Sequence, residues 1–330
     1  MIYTCKNCGG NMVYSPERQK MFCKYCGSED SEQKFVSNEP TMSACPSCGA
    51  PIEIREYLSA FKCPYCDNHL IVDERIAGDY LPHLIIPFLL GKEDVKKILR
   101  DKFKRSVFAP NDFLSDARLN FMTGMYVPFW MYDYHVHGFY EGTGKKIRTW
   151  TSGNRQYTET KIYHIKRDME VDFDKVPVDA SIIMPDSTMD LMEPFHYGNL
   201  EEFKDCYLSG FQAEMYNMGV DELEERAVYK AKGDAESIMQ SSINGYTGLV
   251  NDPSNKVMLE RTDSKYALLP VWNYQYVYKN QTYPFYINGQ TGKVVGKVPL
   301  SVKKVWAYGG TLCMGLLLAF TMIYQIFRWL

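Results

Sequence analysis

The sequence predicts a multidomain chain: two small β zinc ribbons, then an α+β domain with an antiparallel sheet, then one C-terminal transmembrane helix. Three observations carry that prediction. Two identical cysteine quartets lie in tandem near Met1, the middle of the chain mixes helical and strand periodicities, and a long uncharged apolar run closes it. The expected divisions are a first ribbon over 1–30, a polar linker over 31–43, a second ribbon over 44–72, the α+β domain over 73–302 and the membrane helix over 305–327.

Cys5, Cys8, Cys23 and Cys26 form the first quartet, and Cys45, Cys48, Cys63 and Cys66 form the second. Both read C-x2-C-x14-C-x2-C, and the second is the first moved by 40 residues. Zinc takes four ligands at tetrahedral corners, about 2.3 Å away for sulfur. A C-x-x-C turn supplies two, and a hairpin of fourteen residues brings the chain back with two more. The expected hairpin arms are Met12–Tyr14 with Met21–Phe22, and Ile52–Arg55 with Ala60–Lys62. Glycine follows three of the four pairs, at Gly9, Gly27 and Gly49, where a tight knuckle calls for positive φ; Asp67 takes the fourth position. A redox dithiol or an iron–sulfur cluster uses the same residue type, but two complete quartets at one spacing favour two Zn2+ ions. Metal-ligating thiolates also suit a reducing, cytosolic compartment. No apolar stretch precedes Cys5, so no signal peptide is expected. Cys206 and Cys313 stand alone and are expected to be ordinary apolar residues.

Charge then limits what the ribbons can touch. Residues 1–80 hold eight Lys/Arg against eleven Asp/Glu, so they account for the whole net charge of −3. Each zinc with four thiolates adds a further −2. Nucleic-acid binding needs clustered cations to displace counterions. Protein docking is therefore preferred for the ribbons, and nucleic acid is the alternative.

In the middle region, Val95, Ile98, Leu99 and Phe103 form a helical stripe over Asp94–Phe103, and Phe203, Tyr207, Phe211 and Met215 do the same over Glu201–Met218. Tyr126–Trp130 and Leu268–Tyr278 read as strands, and Tyr283–Ile287, Asn288-Gly289 and Lys293–Val295 as a hairpin. Pro128, Trp130, Tyr132 and Tyr134 recur 142 residues on as Pro270, Trp272, Tyr274 and Tyr276, and Pro87-Phe88 recurs as Pro194-Phe195. An internal duplication is expected, with the aromatic stripes in the core. Chemistry is scarce. Gly138–Lys146 and Gly289–Lys293 lack phosphate-loop spacing, His135 and His137 lack a third ligand, and Asp190 with Glu193 reads as solvated carboxylates. No enzymatic activity is expected.

Val305–Phe327 runs for 23 residues without a charge, enough to span about 30 Å of hydrocarbon at ~1.5 Å per residue. Lys293, Lys297, Lys303 and Lys304 precede it and only Arg328 follows, which predicts a cytoplasmic N-terminal side. Trp306, Tyr308 and Trp329 suit the two interfacial belts, and the short remainder after the span makes it a tail anchor in the cell membrane. Ala307, Thr311, Gly315 and Ala319 recur every fourth residue, a stripe expected to let two such helices approach and form a homo-oligomer.

The tandem ribbon, Tyr126–Trp130, Asp190–Phe195, Tyr207–Ala213 and Asn288–Lys293 occur here in an order that resembles bacterial zinc-ribbon membrane proteins of Gram-positive type. Those are often labelled transcription-factor-B-type zinc-finger or primosomal-helicase-like proteins. The resemblance implies protein partners, a flotillin-like SPFH protein and a phage-shock-protein A homologue, recruited to the membrane in envelope stress. It carries the eight cysteines over as ligands and implies no catalytic residues.

Overall fold

The computed structural model describes residues 1–36, 44–252 and 255–329. The first ribbon contains β1 (Ile2–Cys5), β2 (Met12–Ser15), β3 (Lys20–Cys23) and β4 (Glu32–Phe35). β2 and β3 are the expected hairpin, while β4 pairs antiparallel with β1. The segment expected as a linker, 31–43, thus opens as paired strand; its part at 37–43 lies outside the described residues.

The second ribbon departs further from expectation. β5 (Leu58–Lys62) pairs with β6 (His69–Ile71), while Ile52–Arg55 is not a strand. The other edge of β5 is occupied by β11 (Gln212–Glu214), which aligns Ala213 with Ala60 and Glu214 with Leu58. An edge already hydrogen-bonded to the main sheet has no use for a second local arm. The second ribbon is therefore the end of the large sheet rather than a separate bead.

That sheet has eleven strands in the order β10–β7–β13–β8–β11–β5–β6, with β9 and β12 also beside β8, and β14 beside β13 and β15. Its remaining members are β7 (Leu84–Ile85), β8 (Thr123–Ser152), β9 (Arg155–Asp179), β10 (Glu201–Glu202), β12 (Gly248–Asn251), β13 (Lys256–Tyr278), β14 (Gln281–Asn288) and β15 (Val294–Gly296). Most pairings are antiparallel as expected, but β7 with β13 and β11 with β8 are parallel. The helices are α1 (Lys92–Phe103), α2 (Asp116–Leu119), α3 (Asp186–Met192), α4 (Glu224–Ser241) and α5 (Val302–Trp329).

The helix expected over Glu201–Met218 is absent. The segment instead holds β10, a short 3-10 turn and β11, and Gly210 sits at φ +109 between the last two. Two strand pairings need extended backbone at both ends of this stretch, and they outweigh its helical spacing. The long helix lies just downstream, where α4 lays Ala227, Ala231, Ala235 and Met239 against the sheet. Small side chains at every fourth position let a helix sit close to a strand surface.

The aromatic stripes are core, as expected. Tyr126, Trp130, Tyr132 and Tyr134 face one cluster, while Met125, Val127, Phe129 and Met131 face another across the sheet. The buried indoles find partners: Trp130 Nε1 donates to the Met218 carbonyl and Trp272 Nε1 to the Leu90 carbonyl, both at 3.0 Å. Within the β8–β13 ladder Val127 faces Leu269, which is 142 residues on. The parallel contacts repeat in the same register, with Leu84 and Ile85 on Ala267 and Leu268, and Gln212 and Ala213 on Met125 and Tyr126. The two Pro-Phe pairs occupy different places: Pro87-Phe88 follows β7, whereas Pro194-Phe195 follows α3.

The first ribbon is bonded to this framework. Tyr14 N donates to the Ser209 carbonyl at 2.7 Å, and the Ser209 hydroxyl returns a bond to the Met12 carbonyl at 2.6 Å. Met12, Tyr14, Met21 and Cys23 share one core cluster with Phe88, Tyr126 and Phe211.

One buried acid gives a measurable signature. Glu214 is 2% exposed, accepts a bond from the Ser181 hydroxyl, and burial raises its carboxyl above the ordinary range. The fold favours the protonated form, so the stability this group supplies is complete below its unfolded pKa and is lost as pH rises through the folded one. A Glu214→Gln variant should therefore gain unfolding free energy relative to the parent as pH rises from about 4 to neutrality. Urea titrations at both ends of that range check it, and a constant difference would contradict it.

Candidate metal centres

All four knuckles are built the same way. Gly9, Gly27 and Gly49 have φ of +72, +76 and +72, and Asp67 has +65. In each knuckle the backbone N–H of that residue donates to the carbonyl of the pair's first cysteine, as Gly9 N does to Cys5 O at 2.8 Å. No Cβ clash forbids a side chain at Gly9, Gly27 or Gly49, so the backbone conformation itself is what favours glycine there. The expectation of positive φ at all four positions is met.

The knuckles bring the sulfurs together. Cys5 and Cys26 lie 3.6 Å apart, Cys8 and Cys23 3.5 Å, Cys45 and Cys66 3.7 Å, and Cys48 and Cys63 4.0 Å. Within each quartet all four sulfurs fall inside 4.8 Å of one another. Metal–sulfur bonds of about 2.3 Å place tetrahedral sulfurs about 3.8 Å apart. The donor sets fit one tetrahedral ion each, and the separations are far beyond a disulfide bond of about 2.0 Å. Cys5, Cys23, Cys45 and Cys63 are buried, while Cys8, Cys26 and Cys48 are exposed, so each centre has a packed side and an outward one. Around Cys26 the Ser28 hydroxyl and backbone N–H pull the thiol below its usual range.

A side-chain tie closes each ribbon, and sequence spacing alone does not reveal it. Asn7 Nδ2 donates to Ser28 Oγ at 2.8 Å, and Asn68 Nδ2 donates to Ser47 Oγ at 2.6 Å. The two ties use equivalent positions, 40 residues apart, with Asn and Ser exchanged. That reciprocal exchange was the available signal.

The other residues with suggestive chemistry resolve into structural roles. His135 meets Asp172 at 2.7 Å and His137 meets Asp168 at 2.8 Å, as two separate cross-strand hydrogen bonds. Asp190 meets Arg226 at 3.0 Å and Lys230 at 2.7 Å, and Glu193 meets Lys230 at 2.8 Å. These carboxylates clamp α3 to α4 through ion pairs, where solvated carboxylates were expected. Gly138–Lys146 lies within β8, and Asn288–Lys293 is the turn between β14 and β15. Cys206 is half-buried in the turn before β11, and Cys313 lies on α5.

α5 is the one helix among the described residues long and apolar enough to cross a membrane, over Val302–Ile326, and none of that stretch is buried against the protein. Its start is pinned: Ser301 N donates to the Phe108 carbonyl, Lys304 Nζ to the Ala109 carbonyl at 2.6 Å, and Tyr308 meets Phe108 edge to face with centroids 5.5 Å apart.

Fold and site together define a class: a tandem four-cysteine protein whose cysteine centres share one sheet domain with a membrane-length C-terminal helix. Within that class the chain belongs to the family of the uncharacterized protein YdjG of Bacillus subtilis strain 168. The two are 34% identical over 330 residues, covering 97% of this chain and 96% of that protein. No protein-family profile and no solved structure matches the chain.

Proposed function

We propose that the protein is a membrane-tethered cytoplasmic adaptor, with one Zn2+ in each ribbon, that recruits partner proteins to the cell membrane. The observation that carries this reading is the rigid presentation of two equivalent docking knobs. Tyr25 and Tyr65 occupy the same knuckle position 40 residues apart, and they are 74% and 67% exposed. The second ribbon is part of the large sheet and the first is hydrogen-bonded to it, so the two rings are held at a fixed spacing on a body pinned to α5. Exposed tyrosine on a rigid turn is a common centre of protein recognition, because it contributes large contact area with little entropy to lose.

In this reading α5 is a single-pass anchor with the ribbons on the cytoplasmic side, set by the lysines ahead of it. The family resemblance suggests a flotillin-like SPFH protein and a phage-shock-protein A homologue as partners in envelope stress, and the protein performs no reaction of its own. The small-residue stripe on α5 adds self-association. The repeated register of β7 with β13 and of β11 with β8 supports an internal duplication whose halves exchange their short strands. The acidic ribbon region counts against nucleic acid as its target.

The test is crosslinking and capture from native membranes, comparing the parent with a Tyr25→Ala, Tyr65→Ala variant. Partner recovery should fall about tenfold, with two metal ions still bound. Undiminished recovery, or recovery of nucleic acid in place of protein, would overturn the reading.

A further inference from the structure

The ribbon of β8, β9 and β13 continues far past the core. From Phe129 opposite Asp179 to Ser152 opposite Arg155 the hairpin runs about 75 Å at ~3.3 Å per residue. β13 accompanies it only to Phe139 and β12 only to Lys145, so among the described residues the two strands stand alone beyond that point. A bare two-stranded ribbon is marginal in water without a surface to lie on.

Its composition differs from the rest of the chain. Between Lys145 and Arg167 lie seven Lys/Arg and one acid, Glu159, although the whole chain has 37 against 40. Among the described residues Lys145, Lys146, Arg148 and Arg155 have no carboxylate partner, and Glu159 meets Lys161 at 3.6 Å. Aromatic rings interleave with these cations. Trp150 and Tyr157 stack across the strands at 5.7 Å, Arg148 lies over Trp150, and Lys146 over Tyr163. On the opposite face Ile147 and Ile162 are 51% and 67% exposed.

We infer that this hairpin tip is a second membrane contact that binds an anionic lipid surface. Trp and Tyr beside Lys and Arg, with apolar side chains close by, is the composition that settles at the boundary between headgroups and acyl chains. Each cation gains from an anionic leaflet, and the gain weakens with salt. A nucleic-acid site would use the cations and rings but not the exposed isoleucines, which favours lipid. The inference rests on α5 as anchor in one respect: a tethered domain meets its own bilayer at high effective concentration, so weak contacts count. The arm then lies along the membrane rather than away from it.

The test is tryptic cleavage after Arg148 and Arg155 in the full chain, mixed with nanodiscs of phosphatidylcholine alone or with added phosphatidylglycerol. Phosphatidylglycerol should slow cleavage about tenfold at physiological salt. High salt, or Lys146→Ser with Lys161→Ser, should restore the rate while both metal ions stay bound. Equal cleavage in the two discs overturns the inference, as does equal or better protection by an oligothymidylate in phosphatidylcholine discs. Co-elution of the chain with the discs reports separately on α5, so failure of the anchor and failure of the tip are distinguishable.

Discussion

Replacing Cys23 and Cys26 by serine is expected to release one of two bound metal ions and to destabilise the sheet domain as well as the first ribbon. A structural zinc site contributes on the order of 10 kcal/mol of folding free energy in small peptides. Here that free energy does not stay local. Cys23 is fully buried in the same cluster as Tyr126 and Phe211, and the neighbouring strand exchanges hydrogen bonds with Ser209. Ser209 leads through Phe211 into β11, whose two edges pair with β5 and β8. Loss of the first metal should therefore loosen β11 and, through it, the second ribbon. Hydrogen exchange would show amide protection falling at Ala213 and Tyr126, far from Cys23 in sequence. Loss of protection confined to 1–36 would mean that the ribbon folds independently.

A chain ending at Ser301 is expected to stay almost entirely in the supernatant after carbonate extraction, whereas the full chain stays with the membrane. The uncharged stretch of α5, Val305–Phe327, is long enough to insert essentially irreversibly, far beyond what surface contacts achieve. The truncated chain keeps the Ser301 to Phe108 bond and loses the Lys304 and Tyr308 contacts, so the sheet domain should lose only about 1 kcal/mol. Fractionation and urea unfolding of the soluble form check both halves. Equal membrane retention of the two chains would refute the anchor.

Much of this arrangement was legible from residue spacing, and the exceptions have specific causes. The cysteine quartets dictate ligand geometry through covalent reach alone, so all eight converge as expected. α1 and β14 were visible from the spacing of their apolar residues, and α5 from the length of its uncharged run. The pairing of β5 with β11 was not, since it joins positions more than 150 residues apart and depends on a shared hydrogen-bonding edge rather than on any side-chain pattern. The same long-range demand converted Glu201–Met218 from its helical spacing into extended chain. α4 was missed because alanines form its buried stripe, and they barely register in an apolar count. The length of β8 was hidden because its outer half packs on one face at most, although Tyr132, Tyr134, Val136 and Tyr140 continue the alternation.

The most direct test of two metal-built ribbons within one framework is native mass spectrometry of the detergent-solubilised full chain, with elemental analysis of the same sample. Two zinc ions per chain, reduced to one by the Cys23 and Cys26 substitutions, is the expected result. One metal ion per chain, or iron in place of zinc, would contradict it.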